Sequence, residues 1–152
     1  MHRRIFILLM LTLVSWVAAR ERVLPGAHFQ SFIPVFPTLQ ATTKTLGSPL
    51  QHGGKVYAIS NSWYFSSYQP ATKVAEYYAQ RLPDANRMAR AHNHIIFTLR
   101  PAGARELQMS DGSKAYEWIE IEIAEMSALN KVVKQGSRTP PTSVHISEFV
   151  AP

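Results

Sequence analysis

Helical periodicity occurs in one place in this chain, and a proline stands at each end of it. Val74, Tyr77, Tyr78 and Leu82 fall at i, i+3, i+4 and i+8, which is one face of a helix. Pro70 has no amide proton and a helical φ, so it suits the first turn and pushes Gln69 out of the helical region. Gln69 caps poorly, so Ser66 or Ser67 is expected to supply oxygens one turn earlier. Pro83 ends the helix near Leu82. A chain with one such helix must build the rest of its core from strands. Both tyrosines are needed to fill the apolar stripe, which makes them core residues with hydroxyls at the rim.

The strand signals follow the same logic. Residues 114–125 read as the longest strand, with Ile119, Ile121 and Ile123 on one face and Trp118, Glu120 and Glu122 on the other. A slip of one residue would bury both glutamates, so the register is well specified. Residues 55–60 form a short strand that runs on, with a bend at Asn61-Ser62, into the aromatic stretch 63–67. Residues 93–99 alternate Ile95, Phe97 and Leu99 against His94, Ile96 and Thr98. Residues 105–110 form a short strand, and Asp111-Gly112 is a hairpin turn. Residues 143–150 read as a last edge strand. Residues 45–54, with Gly47, Pro49 and Gly53-Gly54, read as a loop. Residues 83–92 make one helical turn or stay irregular, and 126–135 form a short helix ending at Gly136. The pattern is α+β: an antiparallel sheet of four to five strands with one main helix packed on one face.

Residues 1–19 read as a signal peptide. Arg3 and Arg4 precede an apolar run over 5–18, shorter than the roughly 20 residues a membrane span needs, and Val17-Ala18-Ala19 offers a cleavage site after Ala19. The alternative is an uncleaved anchor with Trp16 at the interface. Processing leaves 133 residues with a formal charge of +4, enough for one domain. Residues 20–54 form an extended proline-containing arm and loop. Phe29, Phe32, Ile33, Val35, Phe36 and Leu39 make the arm too apolar for a free linker. It is expected to lie over the core, the alternative being a partner-binding segment. Residues 55–152 form a single α+β domain with a C-terminal tail. The chain has no cysteine, which excludes disulfides, thiol catalysis and cysteine metal sites.

A strand ending in serine, followed by a proline-led helix with Val-x-x-Tyr-Tyr-x-x-x-Leu, resembles small exported bacterial domains of unknown function that continue into a β-meander. The matching residues are Ser66, Ser67, Pro70, Val74, Tyr77, Tyr78 and Leu82. Leu24-Pro25-Gly26-Ala27 resembles the Tyr-Pro-Gly-Ala motif near their N-terminus. Tyr68-Gln69 stands where those domains carry an acidic cap, and Leu24 where they carry an aromatic. The resemblance covers residues 25–125. It implies a fold and export, and no catalytic residues.

The sequence has no nucleophile elbow, phosphate-binding glycine loop, His-Glu-x-x-His or calcium loop, so it points to no catalytic residue and no cofactor. His92 and His94, two apart on a strand, are candidate metal ligands. A third would have to come from His52, His145 or a glutamate on a neighbouring strand. Arg81, Arg87, Arg90, Arg100 and Arg105 cluster in sequence and read as a basic patch near the 101–103 turn, with glutamates lining the outer face of strand 114–125. Such a patch suits an anionic envelope component, or another protein, as partner. Nucleic acid is excluded by compartment and by the lack of aromatic–basic interleaving. The leading expectation is an exported, periplasmic or secreted, non-enzymatic binding or accessory module. Two alternatives stay open: a metal- or carboxylate-assisted hydrolase using His92 and His94, or Glu120 with another acid, converging in a cleft, and a membrane-peripheral protein held by an uncleaved N-terminus and the arginine patch. N-terminal sequencing of the exported chain is expected to read from Arg20; a start at Met1 would establish the anchor instead.

Overall fold

The computed structural model describes residues 24–90, 94–126 and 141–152. Residues 1–19, read above as a signal peptide, His92 and residues 127–135 of the expected second helix lie outside them. Strands β1 (Gln40–His52), β2 (Lys55–Ser67), β3 (Asn86–Arg90), β4 (His94–Leu99), β7 (Trp118–Glu125) and β8 (Thr142–Val150) form one antiparallel sheet in the order β1-β2-β8-β7-β4-β3. Strands β5 (Glu106–Gln108) and β6 (Lys114–Tyr116) pair as a separate ribbon. Helix α1 (Ala71–Arg81) connects β2 to β3 and packs across β7 and β4. This is an α+β architecture with one helix on an antiparallel sheet.

The helix begins and ends as its prolines dictate. The Pro70 carbonyl accepts the amides of Lys73 and Val74, and Leu82 N–H closes on the Tyr78 carbonyl at 2.8 Å. The Ser67 hydroxyl turns back to accept Gln69 N–H rather than a helical amide. Ala71, Val74, Ala75 and Tyr78 are buried against the sheet. Beneath them the ladder aligns Phe97, Ile121, Ile146 and Trp63 in one row, and Ile95, Ile123, Val144 and Phe65 in the next. Tyr78 and the three isoleucines belong to this one cluster, and the partly buried Tyr77 packs against it. Burying each isoleucine contributes about 1.5–3 kcal/mol.

The following row breaks the pattern. Leu99 and Ile119 continue it, but their partner on β8 is Glu148, which is fully buried. Its carboxylate accepts the backbone N–H of His28 at 2.6 Å and of Phe29 at 2.9 Å, and the Asn61 side-chain amide at 2.6 Å. Three donors to one carboxylate replace the water it has lost. The two backbone amides belong to the N-terminal arm, which lies on the core as its composition predicts, and Asn61 belongs to β2. Leu24, Ala27, Phe29, Ile33, Val35, Phe36 and Leu39 are all buried. The arm starts with a turn in which Ala27 N–H bonds the Leu24 carbonyl, with proline second and Gly26 third at φ +82°. Such a turn needs glycine there, and an added Cβ would also lie 2.6 Å from Leu46.

Several strands differ from expectation. The stretch read as a loop over 45–54 is mostly β1, a 13-residue edge strand hairpinned to β2 through Gly53-Gly54. It absorbs Gly47 in the register shift between Thr45 and Ser48 and keeps Pro49 in register opposite Ile59, both of which an edge strand tolerates. Residues 86–90 are neither helical nor irregular but form the opposite edge, β3, exposed throughout. The strand expected over 114–125 is broken at Glu117 into β6 and β7. Finally, β8 is no edge: it lies mid-sheet between β2 and β7, buried on alternate residues and more. The main sheet therefore has six strands rather than four or five.

Two hydroxyls on α1 give a contrast that tests this packing. Tyr77 O–H donates to the Val35 carbonyl at 3.3 Å and its ring meets Phe36 edge-on, whereas the fully buried Tyr78 hydroxyl makes no well-formed hydrogen bond. By chemical denaturation, Tyr77→Phe should lose about 0.5–1.5 kcal/mol, and Tyr78→Phe should lose nothing or gain. Ile121→Ala should lose about 2–5 kcal/mol.

Candidate functional site

A concavity lies between the arm and the first hairpin. On the face of the sheet that carries the arm, Trp63 and Phe65 of β2 stand opposite Lys44 and Ala41 of β1. Leu24, Val35 and Leu39 approach from the arm, and together these residues line a cavity of about 480 Å³. A register shift between Ala41 and Thr43 bulges β1 beside it. The bulged Thr42 fixes its hydroxyl on the Tyr64 carbonyl at 2.9 Å. Trp63 Nε1 donates to the Pro25 carbonyl at 3.3 Å, so the indole is held by the turn that forms the cavity wall. Lys44 is the one ionisable residue in the lining. The lining is therefore mostly apolar, with Gln40, Thr42 and Thr43 as its uncharged polar members and Lys44 as its single cation.

A second group of side chains lies on the other face of the sheet, away from α1. Glu122 of β7 stands opposite His145 of β8, which stands opposite Tyr64 of β2. The Glu122 carboxylate lies 2.5 Å from His94 Nε2 and 3.5 Å from His145 Nδ1. His145 Nε2 meets the Ser147 hydroxyl at 2.9 Å, and Tyr64 stacks on the His145 ring at 4.1 Å. Ser147 also meets Ser62 at 3.0 Å. The sequence Ser147–His145–Glu122 has the order of a nucleophile, base and orienting acid. Acyl transfer needs more than that order. Ser147 is 3% exposed, on a strand laddered on both sides, so its neighbouring amides are already paired and supply no oxyanion site. The triad instead fixes the His145 ring in place.

The candidate residues from the sequence separate. His92 lies outside the described residues. His94 turns to Glu122, and among the described residues no three histidine or carboxylate groups are placed to hold a metal ion. Glu120 and Glu122 share the half-exposed outer face, as their parity predicts. Arg87 and Arg90 sit at register positions on opposite faces of β3. Arg81 lies over the Tyr77 ring, Arg87 over Phe97 and Arg100 over Tyr116. Arg105 binds Glu117 through Nε at 2.9 Å and Nη2 at 2.7 Å. Glu117 is thus not on the outer face with the other glutamates: it is 1% exposed and also accepts the amides of Arg105 and Ala151. Sequence reasoning missed the cavity and both buried carboxylates. The only local trace of Glu148 was a charged residue in phase with Val144 and Ile146.

Comparisons with protein-family models, curated proteins and solved structures return no match to this chain. Among the described residues no helix is long and apolar enough to cross a membrane.

Burial alone would raise the Glu117 carboxyl, but the Arg105 side chain, the Ala151 and Arg105 amides and the Arg105 charge together hold it below the ordinary glutamate range. A depressed folded-state value stabilises above the unfolded-state value and is lost as pH falls through the folded one. Wild type should therefore lose stability below about pH 5 more steeply than Glu117→Gln. Denaturation midpoints from pH 7 to pH 3 measure this; parallel curves would remove Glu117 from the acid response.

Proposed function

We propose that this chain is an exported, non-enzymatic binding module whose ligand is an amphiphile, its apolar body in the cavity beneath the arm and an anionic head beside Lys44. The observation that carries this is the lining itself. Trp63, Phe65, Leu24, Val35 and Leu39 surround about 480 Å³ with one cation at the rim. An apolar concavity with a few polar groups at its mouth is the usual form of a small-molecule site. No acid–base pair lines it, which favours binding over chemistry. Export is supported by Arg3, Arg4, the apolar run and Ala18-Ala19. The resemblance to small exported domains points the same way. The anionic component expected of the partner is thereby moved from the dispersed arginines to Lys44.

Titration with dodecanoate, followed by tryptophan fluorescence and by displacement of anilinonaphthalene sulfonate, tests the site. Ala41→Trp places a ring in the mouth from an exposed position of β1. It should weaken dodecanoate about tenfold or more, equivalent to about 1.4 kcal/mol. Lys44→Glu should weaken dodecanoate but leave dodecanol unchanged. Dodecanoate binding that ignores both substitutions would place the ligand elsewhere and end this reading.

A further inference from the structure

The face of the sheet opposite α1 carries a second surface with its own order. The ladder aligns Ser62, Ser147, Glu120, Thr98 and Asn86 in one row across β2, β8, β7, β4 and β3. Every side chain in it is a hydroxyl, a carboxylate or an amide. At about 4.8 Å per strand the row runs about 19 Å. Tall rings stand on either side. On one flank Tyr64 and His145 stack at 4.1 Å, and on the other Trp118 and Phe149 stack at 4.2 Å. His145 and Phe149 are four residues apart on β8, so these walls are separated by about 13 Å. The short side chains of Ser62 and Ser147, 8% and 3% exposed, form the floor. The result is a polar row across the strands, flanked by rings where it crosses β2, β8 and β7 and by Ile96 and Met88 where it crosses β4 and β3.

Its chemistry narrows the occupant. Extended peptides that add to a sheet need an open edge, and β8 and β7 are paired on both sides. Anionic chains would meet Glu120 and Glu122 with no arginine or lysine beside them in these two rows. Apolar partners would have to desolvate the serine and glutamate row. A sugar chain has what the row and its rings ask for: hydroxyl edges that exchange donors and acceptors, and C–H faces that lie against rings. The capacity is also free. Glu120, Thr98 and Asn86 make no side-chain hydrogen bond or ion pair with the described residues. On the wall, by contrast, Glu122, Ser147 and Tyr64 hold His145 from three sides. A fixed wall beside unengaged polar groups is a preorganised site. We propose that the open face of the sheet binds an uncharged oligosaccharide along the row from Ser62 to Asn86, its sugar faces lying against the rings that flank the row at β2, β8 and β7.

The test uses the purified exported chain and three hexasaccharides: β-1,4-linked glucose, α-1,4-linked glucose and β-1,4-linked N-acetylglucosamine. Binding is read by calorimetry and by tryptophan fluorescence. At least one hexasaccharide should bind, and dextran sulfate should not compete. Glu120→Ala and Thr98→Ala should each weaken it by about tenfold with the thermal midpoint nearly unchanged, because both groups are partly exposed and make no bond. Trp118→Ala should weaken it further and abolish the fluorescence change that Trp63 cannot report from the far face. Ala41→Trp should leave it unaltered, which separates this site from the cavity. The proposal is overturned if none of the three binds at millimolar concentration, or if binding survives both Glu120→Ala and Trp118→Ala. It is also overturned if the chain instead self-associates through this face, shown by sedimentation that depends on Trp118.

Discussion

The structure depends on β8 being inserted between β2 and β7. Without it the sheet is two pieces, the β1–β2 hairpin and the β7-β4-β3 meander, with no shared hydrogen bonds. With it, Ile146 joins Trp63 to Ile121 and Val144 joins Phe65 to Ile123, and α1 gains a continuous floor. The same strand carries Glu148, whose carboxylate holds the arm by two backbone amides. An unpaired carboxylate at that depth would be strongly unfavourable, so arm and sheet are each required to make the other tolerable. The cavity exists only because the arm is pinned over Trp63.

Placing the central strand late in the chain also has kinetic content. Residues 59–67 pair with residues 142–150, contacts that close a loop of some eighty residues. Loops of that length form slowly relative to local turns. The hairpins β1–β2 and β5–β6 are local and require no such closure. Folding of the sheet as a whole therefore waits for the segment that holds its middle.

What the sequence made legible was local. The helix was bounded by Pro70 and Pro83, and the isoleucine triplet declared its face by parity alone, so the contact between tyrosines and isoleucines followed. Apolar composition placed the arm. What stayed hidden was either tolerant or distant. Gly47 and Pro49 look like loop residues, yet an edge strand with register shifts accommodates both. Asn86–Arg90 carries no apolar alternation because it is exposed on both faces. Ser143, His145 and Ser147 made β8 look peripheral; they are polar because they floor the open face while their neighbours fill the core. The meeting of His94, His145 and Glu122 was half visible, since any third group for a His94 site had to come from adjacent strands. The cavity had no signature, because its walls are two segments whose proximity only the tertiary fold supplies.

The two outer strands have a consequence for how such molecules coexist at high concentration. A sheet that ends in straight, bare strands can lengthen by recruiting a neighbour, and the product grows without limit. Here one rim is kinked by the irregularities around Thr42, Gly47 and Leu50, and the other presents Arg87 and Arg90 to opposite sides of a five-residue strand. Like charges on facing rims repel. Charge on both faces of so short a strand disfavours its pairing with the same strand of a second molecule.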